Sequence, residues 1–222
     1  MGLFSGLLRR IRWHQICREN HIEYSAKSLH HCKIEICGRD NTLLIGAGCS
    51  LHHCNLFILG NHCRVEIGAH STLESVHIWC QDDGSELIIG EGFTQERNGI
   101  LAAMEGARLQ IGADCMFSSD VEIRNGDSHT IFDRADGLRT NAARSVTIGD
   151  HVWLTAHTRV MKGAVLAAHT VLANSSIACG KLETPYAIYS GAPAKILRTE
   201  IDWDRARSWE AGNKETKLHK TD

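Results

Sequence analysis

The chain is 222 residues long, 43% hydrophobic and 23% charged, which supports one domain with a buried core and excludes wholesale disorder. Its 24 Lys and Arg against 26 Asp and Glu leave a formal charge of −2, so there is no basic footprint for nucleic acid, and no apolar run is long enough to cross a bilayer. Nine cysteines, an odd number with no CxxC pair, read as free thiols of a reducing, cytoplasmic compartment.

Residues 1–27 open with Leu3, Phe4, Leu7, Leu8, Ile11 and Ile16 set among Arg9, Arg10, Arg12 and Arg18. The spacing predicts an amphipathic helix with a basic face that caps the core; peripheral contact with the inner membrane face is the alternative use of that surface. The arginines follow the apolar residues, the reverse of a secretory signal. Gly6 stands where a myristoylation signal needs Ser or Thr.

From residue 28 to 198 the sequence repeats. Ile-Gly recurs at a fixed long interval, at Ile45, Ile67, Ile89 and Ile111, each preceded two positions earlier by Leu43, Val65, Leu87 or Leu109. Leu-His-His-Cys occurs twice at the same interval, ending at Cys32 and Cys54. Within the units a beat of six runs through Ile45, Leu51 and Phe57, through Ile67, Leu73 and Trp79, and through Ile111, Phe117 and Ile123. Gln95 interrupts it. Downstream the beat is continuous at Ile148, Leu154, Val160, Leu166 and Leu172, with a small or short residue four positions after each.

Helical periodicity would scatter residues six apart around the axis. A short strand and a tight turn, repeated three times, instead close a triangular coil of three beats, and a bulged turn added to that coil makes the longer Ile-Gly unit. Such coils stack as parallel strands, bury the beat residues inside the prism and need caps at both ends. Residues 199–222 are expected to form the second cap, as a helix or tail.

The pattern [Ile/Leu/Val]-Gly-x-x-[small]-x resembles that of the hexapeptide-repeat acyltransferases. The stretches Ile111–His129, Val146–Leu154 and Tyr189–Arg198 look like the sugar O-acetyltransferases of bacterial surface polysaccharides, including those acting on sialic acid capsules. The resemblance implies a left-handed parallel β-helix, a homotrimer with sites between subunits, acetyl-CoA as co-substrate and no required metal. An amino-sugar or small-molecule acetyltransferase, a non-catalytic scaffold and a metal-dependent hydratase remain as alternatives on the same fold.

The beat stops between Ile123 and Val146, so residues 124–145 are expected to leave the prism as a loop, a common seat of function on a rigid scaffold. The loop holds one histidine, His129, in Asn125-Gly126-Asp127-Ser128-His129. By resemblance it is the general base that deprotonates the acceptor hydroxyl, work to which imidazole is suited near neutral pH. Trp153, in Val152-Trp153-Leu154, is implied to shape the same site. Asp120, Arg124 and Asp127 are implied to meet the acceptor or orient the histidine. The matching coenzyme positions are Ala156 and Ala173 for the pantetheine arm, with Lys181, Lys195 and Arg198 for the phosphates. Thr155 stands where many relatives have Gly and would narrow that groove. The stacked pairs His151 and His169, and His30-His31 and His52-His53, read as ordinary consequences of a solenoid, with no trio converging on a metal.

Overall fold

A computed structural model describes residues 19–206. The chain winds as a three-sided column whose sheets contain eight, nine and seven strands, all parallel and taken in turn by successive strands except for the last, which pairs antiparallel with the strand before it. In chain order these are the first, second and third faces. This is the expected left-handed parallel β-helix, about seven turns long. The helix expected at residues 1–27 falls mostly outside the described residues. Its last part is strand: His21–Tyr24 pairs in parallel with Thr42–Ile45, so the winding begins before residue 28.

The registers reproduce the two periods. Ile45, Ile67, Ile89, Ile111 and Ile148 sit in line on the first face. Upstream, Thr42 lies opposite Arg64, one long unit away, whereas downstream Trp153 lies opposite Val171, three beats away. The coil between the two regions is the longest, with Met116 opposite Trp153. The downstream beat residues Ile148, Leu154, Val160, Leu166 and Leu172 are all buried, as are the corner residues Val152, Thr158, Ala164, Thr170 and Ser176. Close stacking dictates glycine at the corner between the first and second faces. A Cβ on Gly68 would lie 2.4 Å from the backbone of Gly90 and Glu91 one coil away.

Two beat residues point outward instead. Inside the third face lie Leu56, Ile58, Ile78 and Cys80, while Phe57 and Trp79 lie against each other outside, ring centres 4.8 Å apart and planes tilted by 39°. The cause is a shorter corner. The buried Leu56 follows Leu51 by five positions, whereas Val160 follows Leu154 by six, and a change of one position in a strand reverses every side chain after it. Gln95 does keep the beat: it is buried, its two amide atoms without a hydrogen-bond partner among the described residues, in space that Gly99 leaves open.

Corner geometry also accounts for much of the histidine content. His31, His53, His62, His70, His151, His157 and His169 all adopt φ between 53° and 60°. That left-handed conformation favours His, Asn and Asp among residues with a side chain.

Candidate functional site

The winding leaves the prism after the third-face strand Glu122–Arg124 and rejoins it at the first-face strand Val146–Ile148. The intervening residues start from a buried anchor. Asn125 Oδ1 accepts the Met104 N–H at 2.9 Å, and its carbonyl accepts the Arg144 N–H at 2.8 Å, tying exit to return. Gly126 packs closely there: a Cβ would stand 2.8 Å from Met104 Sδ, so the methionine side chain would have to shift.

Beyond the anchor the loop doubles back as a small hairpin, with Phe132 bridging Arg139 and the Thr140 N–H reaching Ile131 O at 2.8 Å. Asn141, nearly buried, braces it. Its amide donates to His129 O at 2.7 Å and to Asp127 at 2.9 Å, while its Oδ1 accepts the Ile131 N–H at 2.8 Å. Lys162, from the next coil, pairs with Asp127 and donates to Asn141 O at 3.0 Å. Glu105 takes Arg139 at 2.6 Å and the Ala143 N–H at 3.1 Å. Lys162 and then Asn141 hold the Asp127 carboxyl below its ordinary range, and Arg139 with the Ala143 N–H does the same for Glu105.

This lattice fixes the main chain of His129 and leaves its ring exposed, without a hydrogen bond among the described residues. Ile131, Phe132 and Leu138 at the hairpin are 58%, 60% and 65% exposed among the described residues, an apolar tip. At the loop's root a cleft of about 430 Å³ opens over the third face, lined by Trp79, Ile100, Ala102, Met104, Arg124 and Ser128, among others. Arg124 pairs with Glu122, which also binds Arg159 at 3.2 Å; burial alone would raise the Glu122 carboxyl, but the two guanidinium groups outweigh it and lower it.

Asp127 is therefore a brace of the loop. Asp120 stands elsewhere, at the corner of the second and third faces, where it accepts from Asn98 at 3.1 Å and faces His157 at 3.5 Å. It does not touch His129 in its own chain.

Trp153 projects from the second face, half-buried, its indole N–H 3.5 Å from Ser118 Oγ. His129 lies at the corner of the other two faces, across the column, so one chain does not join them. Ala156 and Ala173 are half-buried at the end of the second face, close to Trp153 in the stack. Thr155 turns its hydroxyl onto Leu172 O at 2.8 Å. Lys195 and Arg198 lie exposed on the last strand, Ala194–Arg198, which joins the second face antiparallel, and neither forms an ion pair among the described residues. Lys181 is not with them: it sits on the first face, paired with Glu183 at 3.2 Å.

Sequence reasoning expected a cap after residue 198 but not its contacts. Residues 199–206 form no helix. Trp203 stacks on His151 at 4.1 Å and stands 6.0 Å from Trp153, and Arg205 binds Asp114 at 2.8 Å and the carbonyls of Gly92 and Cys115 at 3.0 Å. No periodicity announces such a contact. It also missed two convergences of possible metal ligands, one of His30, His31 and His53 and one of His151, His169 and Asp202. The eight cysteines among the described residues are free.

No protein-family model matches the chain. It is 32% identical over 101 residues to a polysialic acid O-acetyltransferase of Neisseria meningitidis, covering 46% of this chain and 47% of that protein. A polysialic acid O-acetyltransferase of Escherichia coli is 34% identical over 95 residues, covering 43% and 31%. The match thus spans about half, or less, of the curated relatives. The solved structure of the polysialic acid O-acetyltransferase OatWY superposes with a TM-score of 0.75 at 27% identity, over 90% of this chain and 94% of that one. That of the polysialic-acid-specific acetyltransferase NeuO superposes at 0.59 with 23% identity, a likeness of fold.

Proposed function

We propose that this chain is an acetyl-CoA-dependent O-acetyltransferase. It works in the cytoplasm as a homotrimer and esterifies a hydroxyl of an acidic, sialic-acid-containing surface polysaccharide. The observation that carries the reading is the braced hairpin at the one break in the described winding, which presents a solvent-facing imidazole on a column superposable on OatWY along nearly its whole length.

The chemistry asks for a base. The acceptor hydroxyl is a poor nucleophile until its proton leaves, and His129 takes that proton as the oxygen bonds to the thioester carbonyl carbon. The C–S bond then breaks, and His129 returns the proton to the departing sulfur. The second face suits the donor: Ala156 and Ala173 allow an extended pantetheine arm close to the backbone, and the exposed Lys195 and Arg198 suit phosphates. Lys181, committed to Glu183 on another face, does not belong to this set. The cleft at the loop root suits the acceptor, with Trp79 as a flat apolar wall and Arg124 as the charge for a sugar carboxylate.

Oligomerisation follows from the separation of His129 and Trp153. A neighbouring column, its second face turned toward the hairpin, joins the two residues and covers Ile131, Phe132 and Leu138. The test is thiol release from acetyl-CoA with polysialic acid as acceptor. His129→Ala is expected to lose about a thousandfold in turnover while keeping its oligomeric mass. If the site is shared, unfolding and refolding His129→Ala together with Trp153→Ala restores about a quarter of wild-type activity, the share of interfaces that receive both intact residues. No recovery from mixed assemblies would refute the shared site. Full activity of His129→Ala would refute the general-base role of His129, and no thiol release by the wild type would refute the enzymatic reading.

A further inference from the structure

We propose that His30, His31 and His53 form a binding site for a divalent transition-metal ion of the zinc class, where the second face turns into the third in the first two coils. The repeated Leu-His-His-Cys supplies it. The two copies lie in register, Leu29 opposite the buried Leu51; in each the second His takes the left-handed corner and the Cys packs against the core. Stacking of the two copies one unit apart therefore sets His31 over His53, their rings 5.2 Å apart and nearly parallel at 12°, with His30 edge-on to His31 at 4.1 Å.

One ring nitrogen from each histidine lies within 4.8 Å of the others. Tetrahedral coordination needs about 3.3 Å between ligand nitrogens, and all three side chains are exposed and free to rotate the difference away. Glu74 is the second observation. Its Oε1 lies 3.1 Å from His53 Nδ1, the arrangement in which a carboxylate fixes the tautomer and leaves Nε2 to ligate. His52 is excluded because Ser28 Oγ occupies its Nε2 at 3.0 Å and Glu74 lies 3.7 Å from its Nδ1.

The other convergence fails the same criterion. His151 spends Nδ1 on Asp114 at 2.6 Å and Nε2 on Trp203 O at 3.0 Å, so it holds the tail and has no nitrogen left for an ion. Three imidazoles without a thiolate select zinc, nickel or copper over magnesium. The thiol of Cys32 faces Leu51 O at 3.3 Å, inside the column. The site stands four coils before the hairpin, about 19 Å along the axis. Its ion does not enter acetyl transfer: it ties the first coil to the second at the end where a solenoid frays.

The test uses the full chain, stripped with chelator and titrated calorimetrically with zinc chloride and, separately, magnesium chloride, with metal content measured after dialysis. Wild type and a His62→Ala control are expected to bind one zinc per chain and no magnesium. His31→Ala/His53→Ala should lose that equivalent, and Glu74→Gln should weaken it about tenfold. Zinc in hundredfold excess over Kd raises the unfolding midpoint of wild type by about 5 °C and leaves the double variant unmoved. Circular dichroism checks that each variant folds. Zinc binding unchanged in the double variant, absent from wild type or matched by magnesium would overturn the proposal.

Discussion

The long coils before the hairpin and the short coils after it use the same inner packing for different ends. Upstream strands on the third face run to five or six residues, as in Asn55–Leu59 and Val76–Gln81, while downstream the third face is reduced to the pairs Arg159–Val160 and Ile177–Ala178. The extra residues lengthen the third-face ladders; Cys49, Cys54 and Cys63 are buried at corners and Cys80 within the third face, all as small hydrophobes. The shorter coils carry Trp153, Ala156 and Ala173, and in the stack they follow the hairpin directly. The difference teaches that one half of a solenoid can supply stability while the other positions chemistry, because each coil rests only on its neighbours.

The largest expected effect separating the halves is in the upstream core. Leu56 is fully buried, and Leu56→Ala is expected to cost about 2–5 kcal/mol by transfer and cavity, read as a lower unfolding midpoint in denaturant. Turnover per folded molecule should stay at wild type, and a matching fall in turnover would break the division. The second effect belongs to the hairpin. Asn141→Ala removes the bonds to His129 O, Asp127 and Ile131 N–H and should lower turnover about thirty-fold through misplacement of His129. Its unfolding midpoint should move far less than that of Leu56→Ala.

The smallest effect is on the tail. Burial by itself would lower the His151 pKa, but the bond to Asp114 and the Trp203 carbonyl outweigh it and raise it. A raised histidine contributes stability that is complete below about 6.5 and fades as pH climbs through the folded value. The emission difference between wild type and Trp203→Phe should therefore change as pH rises above about 6.5, as the indole leaves the ring it stacks on. In a His151→Gln background the pH dependence should vanish.

Much of this was legible before any fold was built. The long Ile-Gly interval and the beat at six mark which residues face inward, and the interruption after Ile123 marks where the chain departs. Phe57 and Trp79 went the wrong way because corner length, not the beat, controls parity, and nothing local separates a corner of five from a corner of six. His129 was nameable as the loop's histidine, but Asn141, Lys162 and Glu105, which set its place, come from the far side of the loop and from other coils. Asp120 and Asp127 read alike in sequence, and only their partners, His157 and Lys162, distinguish a remote corner from a brace.

By itself the sequence determined the column, because burial at a fixed period is a local rule repeated until it closes. Tertiary structure alone decided what stands next to what around its circumference: the tail against His151, His31 above His53, His129 on the side away from Trp153. Those neighbours are set by how many residues each corner spends in turning, and a change of one carries every later side chain to the opposite surface.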